Sequence, residues 1–278
     1  MRDDKFLFLI LLVTLCTPGF SYSQGGTIEQ GTATPDAEVD LAKKLANPIA
    51  NLISVPFQYN YDENFGVGDE GSKSVLNIQP VAPFSLNDEW NVITRTIIPL
   101  VDTDDVPVGS SEFGLGDIVA SQFFSPKKPT ERGWIWGIGP VELLPTAFDE
   151  ALGAEKWGLG PTGVVLQQKG PWTVGLLANH IWSFAGNDDR DDISATFLQP
   201  FLTYVTKTKT TFSVNTESTY DWENDDWAVP LNFNVSQLLK VGDQILSIGA
   251  GVRYWTESPE NGPEDWGGRL VLTLLFPQ

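Results

Sequence analysis

The 278-residue chain has one histidine, His180, and one cysteine, Cys16. That scarcity excludes metal centres built from imidazole and thiolate, and Cys–His nucleophilic chemistry with them. Positive charge is scarce too: 17 Lys and Arg stand against 36 Asp and Glu, a formal net charge of −19. A nucleic-acid partner needs a clustered basic footprint, so none is expected. The apolar run Phe6–Leu15 stops at ten residues, too short to cross a bilayer as a helix. What remains, 41% apolar and 12% aromatic, is too hydrophobic for a disordered acidic chain. The length suits one large β domain or two ordinary ones.

Residues 1–23 read as a secretory signal peptide. A charged start leads into Phe6–Leu15, then helix-breaking Thr17-Pro18-Gly19, then Ser21-Tyr22-Ser23 with small residues placed for cleavage before Gln24. Asp3 and Asp4 are unusual in such a start. Leu15 before Cys16 argues against lipid attachment there, because that position takes a small residue. Cleavage leaves an exported chain without cysteine. Residues 24–50 form a periplasmic tether and a short helix. The tether is rich in Gly, Thr, Gln and Pro. The helix, Asp36–Ala46, has acids early, Lys43 and Lys44 late, Leu41 and Leu45 on one face, and Asn47-Pro48 to stop it.

From residue 51 the texture changes. Twelve segments of about ten residues match the length of a tilted membrane strand. In the first, Ile53, Val55, Phe57, Tyr59 and Tyr61 alternate with Ser54, Pro56, Gln58 and Asn60. Leu246, Ile248, Ala250, Val252 and Tyr254 alternate with Ser247, Gly249, Gly251 and Arg253. Period two with one apolar face is the strand signal. Ile135–Pro145 is apolar or Gly on both faces, which leaves its register open. Short turns (85–89, 125–133, 168–171, 206–209, 239–243) alternate with longer links (62–72, 100–113, 146–155, 185–194, 221–227, 256–265). That layout predicts an all-β fold: an antiparallel up-and-down transmembrane β-barrel of about twelve strands over 51–278, in the outer membrane.

Two further patterns point the same way. All ten tryptophans (Trp90, Trp134, Trp136, Trp157, Trp172, Trp182, Trp222, Trp227, Trp255, Trp266) fall near strand boundaries or in a link. Amphipathic rings collect there because strand ends lie at the bilayer interfaces. Charge is polarised as well: the six longer links hold 23 acids and one base, Arg190, leaving +3 for everything else.

The runs LAKKLANPIANLISVPFQYNYD (41–62), LNIQPVAPFSLNDEWNVITRTIIPL (76–100), GLGDIVASQFFSP (114–126) and WGIGPVELLPTA (136–147) resemble a family of bacterial outer-membrane proteins. It is related to the phenol-degradation MetA-pathway group, described as transporters and, misleadingly, as neuromedin U. The resemblance spans about 41–278. It implies an outer-membrane barrel with a channel or transport role for small solutes, hydrophobic or aromatic compounds among them. It carries over no catalytic residue and no cofactor. One departure is the C-terminus, where Phe276 is followed by Pro277 and Gln278 rather than ending on the aromatic typical of assembly signals.

The candidate functional residues are inward charges. Arg95, Arg253 and Arg269 alternate with apolar neighbours, as do Glu217 and, less cleanly, Asp117, and a charge facing lipid near the midplane is costly. They fill the barrel by mutual pairing or set an ion-selective constriction. Glu142 sits near a strand end, where either face is affordable. The link acids form clusters: Asp102, Asp104 and Asp105; Asp188, Asp189, Asp191 and Asp192; Asp221, Glu223, Asp225 and Asp226. They serve solubility, or form a negative mouth that attracts divalent cations and lies against outer-membrane lipids. None has EF-hand spacing, so no specific metal site is assigned.

Three other readings compete. A closed barrel could be structural or lipid-contacting. A lipid hydrolase, as in some twelve-stranded barrels, needs a Ser and a His on one outward face; Ser183 lies three residues from His180, on the opposite face, so an enzyme is not expected unless another strand supplies the nucleophile. A secreted calcium-binding β-sandwich would pack its apolar faces inward without tryptophan girdles.

Overall fold

The computed structural model describes residues 35–276. The signal-peptide reading, Cys16, most of the tether and Pro277-Gln278 lie outside the described residues. Twelve strands form one closed antiparallel barrel. β1 (Ile53–Phe65) is followed by β2 in two pieces (Gly71–Ile78 and Val81–Ser85) and by β3 (Trp90–Asp104). β4 is also split (Phe113–Leu115 and Ile118–Pro126), and β5 (Trp134–Leu144), β6 (Lys156–Lys169), β7 (Trp172–Gly186) and β8 (Ser194–Val205) come next. β9 is interrupted at Glu217 (Thr210–Thr216 and Ser218–Asp221), before β10 (Asp226–Val241), β11 (Gln244–Glu257) and β12 (Asp265–Phe276). Each strand pairs with the next, and β12 pairs with β1 from Ile53↔Phe276 to Tyr61↔Gly268, which removes every free edge.

The strands run further than the alternation alone indicates. Asp62 to Phe65 and Leu100 to Asp104 continue as strand because Asp62 faces Lys73, and Asp102 and Asp104 lie opposite Ser74 and Ser72. Several links are correspondingly shorter, and the 127–133 connection outlasts those at 66–70 and 222–225. Link length alone therefore does not distinguish the two ends; charge does.

The two faces differ sharply. Ile138, Leu159, Phe233, Ile248 and Leu270 are exposed on the outside. Inside, Asn60, Ser121, Thr162, Thr203, Asn232, Ser247 and Thr273 are buried. Apolar outward and polar inward is the pattern a bilayer selects. Trp90, Trp134, Trp136 and Trp172 ring the short-turn end, and Trp157, Trp182, Trp222, Trp227 and Trp266 the other. Trp255 departs from this arrangement: it turns into the lumen, where its ring N–H donates to Asp62 at 2.9 Å. A buried carboxylate needing a donor outweighs the interfacial preference.

β5 resolves the register that sequence left open. Trp134 and Ile138 are exposed outside, while Val141 is fully buried inside. Pro140 faces Pro161 across β5 and β6, and neither can donate to a ladder. The flanking strands close the gap: a Cβ on Gly139 would collide with the Gln122 carbonyl, and one on Gly160 with that of His180. Only glycine allows this approach.

The helix α1 (Pro35–Leu45) and the segment that follows it occupy the short-turn half of the lumen. Ala42, Ala50 and Leu52 pack on Val205, Leu238 and Leu275. On the opposite wall Ile49 packs on Ile93, Phe123, Val164, Leu166 and Leu177. Polar ties fix the ends: Lys209 Nζ donates to Glu38 Oε2 at 2.6 Å, and Gln168 Nε2 to the Lys43 carbonyl at 2.8 Å. After the helix, Asn47 Oδ1 accepts from the Ile49 N–H at 3.0 Å and turns the chain toward β1.

Candidate functional site

Beyond this plug, the inner wall carries a charge cluster, and interruptions of the strands help to build it. The break at Glu217 turns its carboxylate inward, where Arg269 grips it with two donors, Nη1 at 2.9 Å and Nη2 at 2.6 Å. The remaining edge of Arg269 donates from Nε to Asn60 Oδ1 at 2.7 Å. A bidentate, charge-assisted pair of this kind is the strongest that side chains form. The break before Pro80 presents Gln79, whose Oε1 accepts from Arg95 Nη2 at 2.7 Å. Arg253 Nη1 lies 3.3 Å from Asp62 Oδ2, and its guanidinium sits 5.1 Å from the Trp255 ring centre. Lys73, opposite Asp62 across β1 and β2, completes the set.

The structure thus brings together four of the five inward candidates: Arg95, Glu217, Arg253 and Arg269. Asp117 lies elsewhere. Its Oδ1 accepts from the N–H groups of Thr146 and Ala147, each at 3.1 Å, and its Oδ2 from Ala154 at 2.7 Å. It anchors the 145–155 link instead of contributing to the cluster. Asn60, Asp62, Lys73, Gln79 and Trp255 join a site that sequence reasoning had not given them. The signal available was period two: Asn60, Asp62 and Lys73 share parity with the inward face of their strands. Glu142 sits two residues from the end of β5, on the outward face with Ile138.

The cluster faces a cavity of about 310 Å³. Its walls combine Arg95, Glu217, Arg269 and neutral polar groups such as Gln58 and Gln199 with Leu45, Pro48, Ala50 and Phe201 toward the plug. Four cations surround two anions here, so the wall is net positive. It can hold or pass a small polar or anionic solute.

With this geometry in view, solved structures give a consistent comparison. An outer membrane channel from Pseudomonas putida F1 has a similar fold, with a TM-score of 0.64 over 81% of this chain and 96% of that one, at 15% sequence identity. The outer membrane phospholipase A from Escherichia coli gives a TM-score of 0.50 over 80% of this chain and 90% of that one, at 9% identity. No protein-family model and no curated protein matches the sequence. At such identities the likeness is one of fold.

The phospholipase likeness directs attention to His180. Its Nδ1 is hydrogen-bonded to Thr196 Oγ1 on β8 at 2.7 Å, and its ring lies 4.0 Å from that of Trp182. Thr196 Oγ1 also accepts from the Trp222 ring N–H at 2.8 Å. Thr196 thus takes the Nδ1 position that a carboxylate holds in a Ser-His-Asp triad, and among the described residues Nε2 has no partner. Ser183 is engaged elsewhere: its Oγ donates to Asp192 at 3.1 Å and accepts from the Ile193 N–H at 2.9 Å.

Several link acids are engaged within their own turns. Asp221 Oδ1 accepts from the Glu223 N–H at 2.9 Å, and Asp189 N–H donates to Asn187 at 3.0 Å. Asp105 caps Gly109, Asp104 accepts from Ser111 at 3.0 Å, and Asp225 accepts from the Tyr220 hydroxyl at 3.1 Å. Asp192 binds Lys156 Nζ at 3.0 Å; the hydrogen bond from Lys156, then that from Ser183, holds its carboxyl below the usual range. Asp102, Asp188, Asp191, Glu223 and Asp226 lie in the same links or at the strand ends beside them. Among the described residues no three acids, His or Cys gather around a common metal position.

Proposed function

We propose that this chain is an outer-membrane channel for the passage of small solutes, with the long links outside the cell and α1 at the periplasmic mouth. One observation carries the reading: the wall is apolar toward lipid but polar and charged toward a lumen that still contains a cavity. A merely structural barrel has no need of a net-positive interior at the cost of burying charge. The fold likeness to an outer membrane channel and the resemblance to the MetA-pathway group both support it. The acidic links enrich cations near the entrance and meet lipid head groups. Chemistry at His180 is disfavoured because Thr196, not a carboxylate, holds Nδ1 and Ser183 is engaged with Asp192, so an enzymatic role is set aside.

Planar-bilayer conductance tests the proposal. The mature chain should give small, well-defined steps, and deleting residues 35–50 should enlarge them several-fold, with folding verified by heat-modifiable mobility. Folded protein that conducts in neither form would leave a closed structural barrel and overturn it.

A further inference from the structure

The charges of the inner wall are unequally satisfied. Arg269 holds Glu217 with two donors and Asn60 with a third. Arg253 has Asp62 at 3.3 Å. Among the described residues Arg95 has no carboxylate within ion-pair distance, and its one hydrogen bond runs from Nη2 to the neutral Gln79. Its Nε and Nη1 have no partner among the described residues, the second proton of Nη2 forms a two-donor edge with one of them, and its side chain lines the cavity. A guanidinium with this much donor capacity left over, held inside a wall, presents a planar fork.

We infer that Arg95 is the anchor of a binding site for a small organic monocarboxylate, seated between the charge cluster and the plug. Three features select that chemistry. The free edge of the guanidinium matches the two oxygens of a carboxylate, which a spherical halide cannot exploit. An anion is favoured because the wall is net positive and the other two arginines already face Glu217 and Asp62, which leaves Arg95 the cavity-lining guanidinium without a carboxylate among the described residues. The nearby Glu217 does not cancel the site, since both its oxygens are taken by Arg269. The body of the ligand should be apolar and short, because the cavity runs from Arg95 toward Leu45, Pro48 and Phe201. Its volume of about 310 Å³ lies at the lower end of small-ligand sites. The inference rests on the channel reading and names its solute class, but binding can be measured without conduction.

The test is calorimetric titration of the folded full-length mature protein in detergent with benzoate, with benzamide as the neutral isostere and chloride as a competitor. Benzoate should bind with one site and benzamide about tenfold more weakly or worse, the worth of one charge-assisted hydrogen bond. Arg95→Gln should abolish the preference for benzoate over benzamide. Arg95→Lys, which keeps the charge but loses the fork, should retain only part of it. Equal binding of benzoate and benzamide to the unaltered protein overturns the inference without any variant. So does undiminished benzoate binding in Arg95→Gln, or displacement by equimolar chloride. A conducting channel that binds no benzoate would overturn this inference and leave the channel reading intact. A non-conducting barrel that binds it would do the reverse.

Discussion

The long links and the inner wall hold charge in opposite ways. In the links, 23 acids meet one base; Asp62 among them turns into the lumen, while Asp105, Asp149 and Asp221 cap the exposed turns they sit in. On the inner wall Lys73, Arg95, Arg253 and Arg269 outnumber Asp62 and Glu217, and each depends on partners from other strands. Charge in the links is plentiful, locally satisfied and screened. Charge in the lumen is sparse, shared between strands and unequally satisfied, with Arg95 facing the cavity. Net charge therefore describes the part of the molecule that a solute meets first, while the wall decides what happens to it next.

The sharpest way to break this comparison is to remove one partner from each region. Glu217→Ala leaves Arg269 buried against the wall with an unmatched guanidinium. The expected loss is about 3 kcal/mol, reduced to the extent that lumen water replaces the carboxylate. Replacing both residues with methionine should recover most of it, since a buried pair exchanged for apolar volume is nearly neutral. Asp221→Ala in a link should lose only about 1 kcal/mol, the worth of one turn cap. Urea titrations followed by heat-modifiable mobility would measure all three. Equal losses for Glu217→Ala and Asp221→Ala would remove the distinction between the regions.

Most of the architecture was legible in the sequence because a bilayer imposes period two on every strand and gathers tryptophan at both ends. The closed barrel of twelve strands followed from that pattern. The less legible features arise from contacts distant in sequence. β5 reads as apolar on both faces because the inner wall around it packs on Ile49, a residue of the plug. Trp255 reads as a girdle residue, but Asp62, nearly the whole barrel away along the chain, draws it inward. Asp117 has the parity of a lumen charge, yet the Gly116-Asp117 break in β4 lets it capture three N–H groups of the next long link. Strand breaks are weak in sequence and strong in consequence: those at Gln79-Pro80 and Glu217 supply partners to Arg95 and Arg269.

A second comparison separates the two regions by ionic strength. If the lumen selects and the links merely enrich, then neutralising Asp188, Asp189, Asp191 and Asp192 together as Asn should alter the reversal potential at about 0.1 M salt and leave it nearly unchanged at about 1 M. Screening shortens the reach of exposed charge from about 10 Å to about 3 Å over that range. Arg253→Gln, acting inside the wall, should shift the potential toward cations at both salts. A link effect that persisted at high salt would place the links in the conduction path itself.

The smallest effect concerns Asp192, a link acid tied to the buried Lys156. Asp192 accepts from Lys156 at 3.0 Å and from Ser183 at 3.1 Å, joining the 187–193 link to β6 and β7. Those bonds favour the ionised carboxyl, so its titration in the folded protein falls below the ordinary value of 3.8. A depressed acid stabilises the fold above its unfolded-state value and loses that contribution as pH falls through the folded one. The tie should therefore be intact at neutral pH and fail only as pH falls below 3.8. Because the carboxylate is exposed, global stability should barely register the change; protection of the Ile193 and Ser183 amides in hydrogen exchange should. In Asp192→Asn that protection should be lower at neutral pH and indifferent to acid. If the unaltered protein loses protection already near pH 5, a different carboxylate controls the link, and the buried Lys156 is not what holds it.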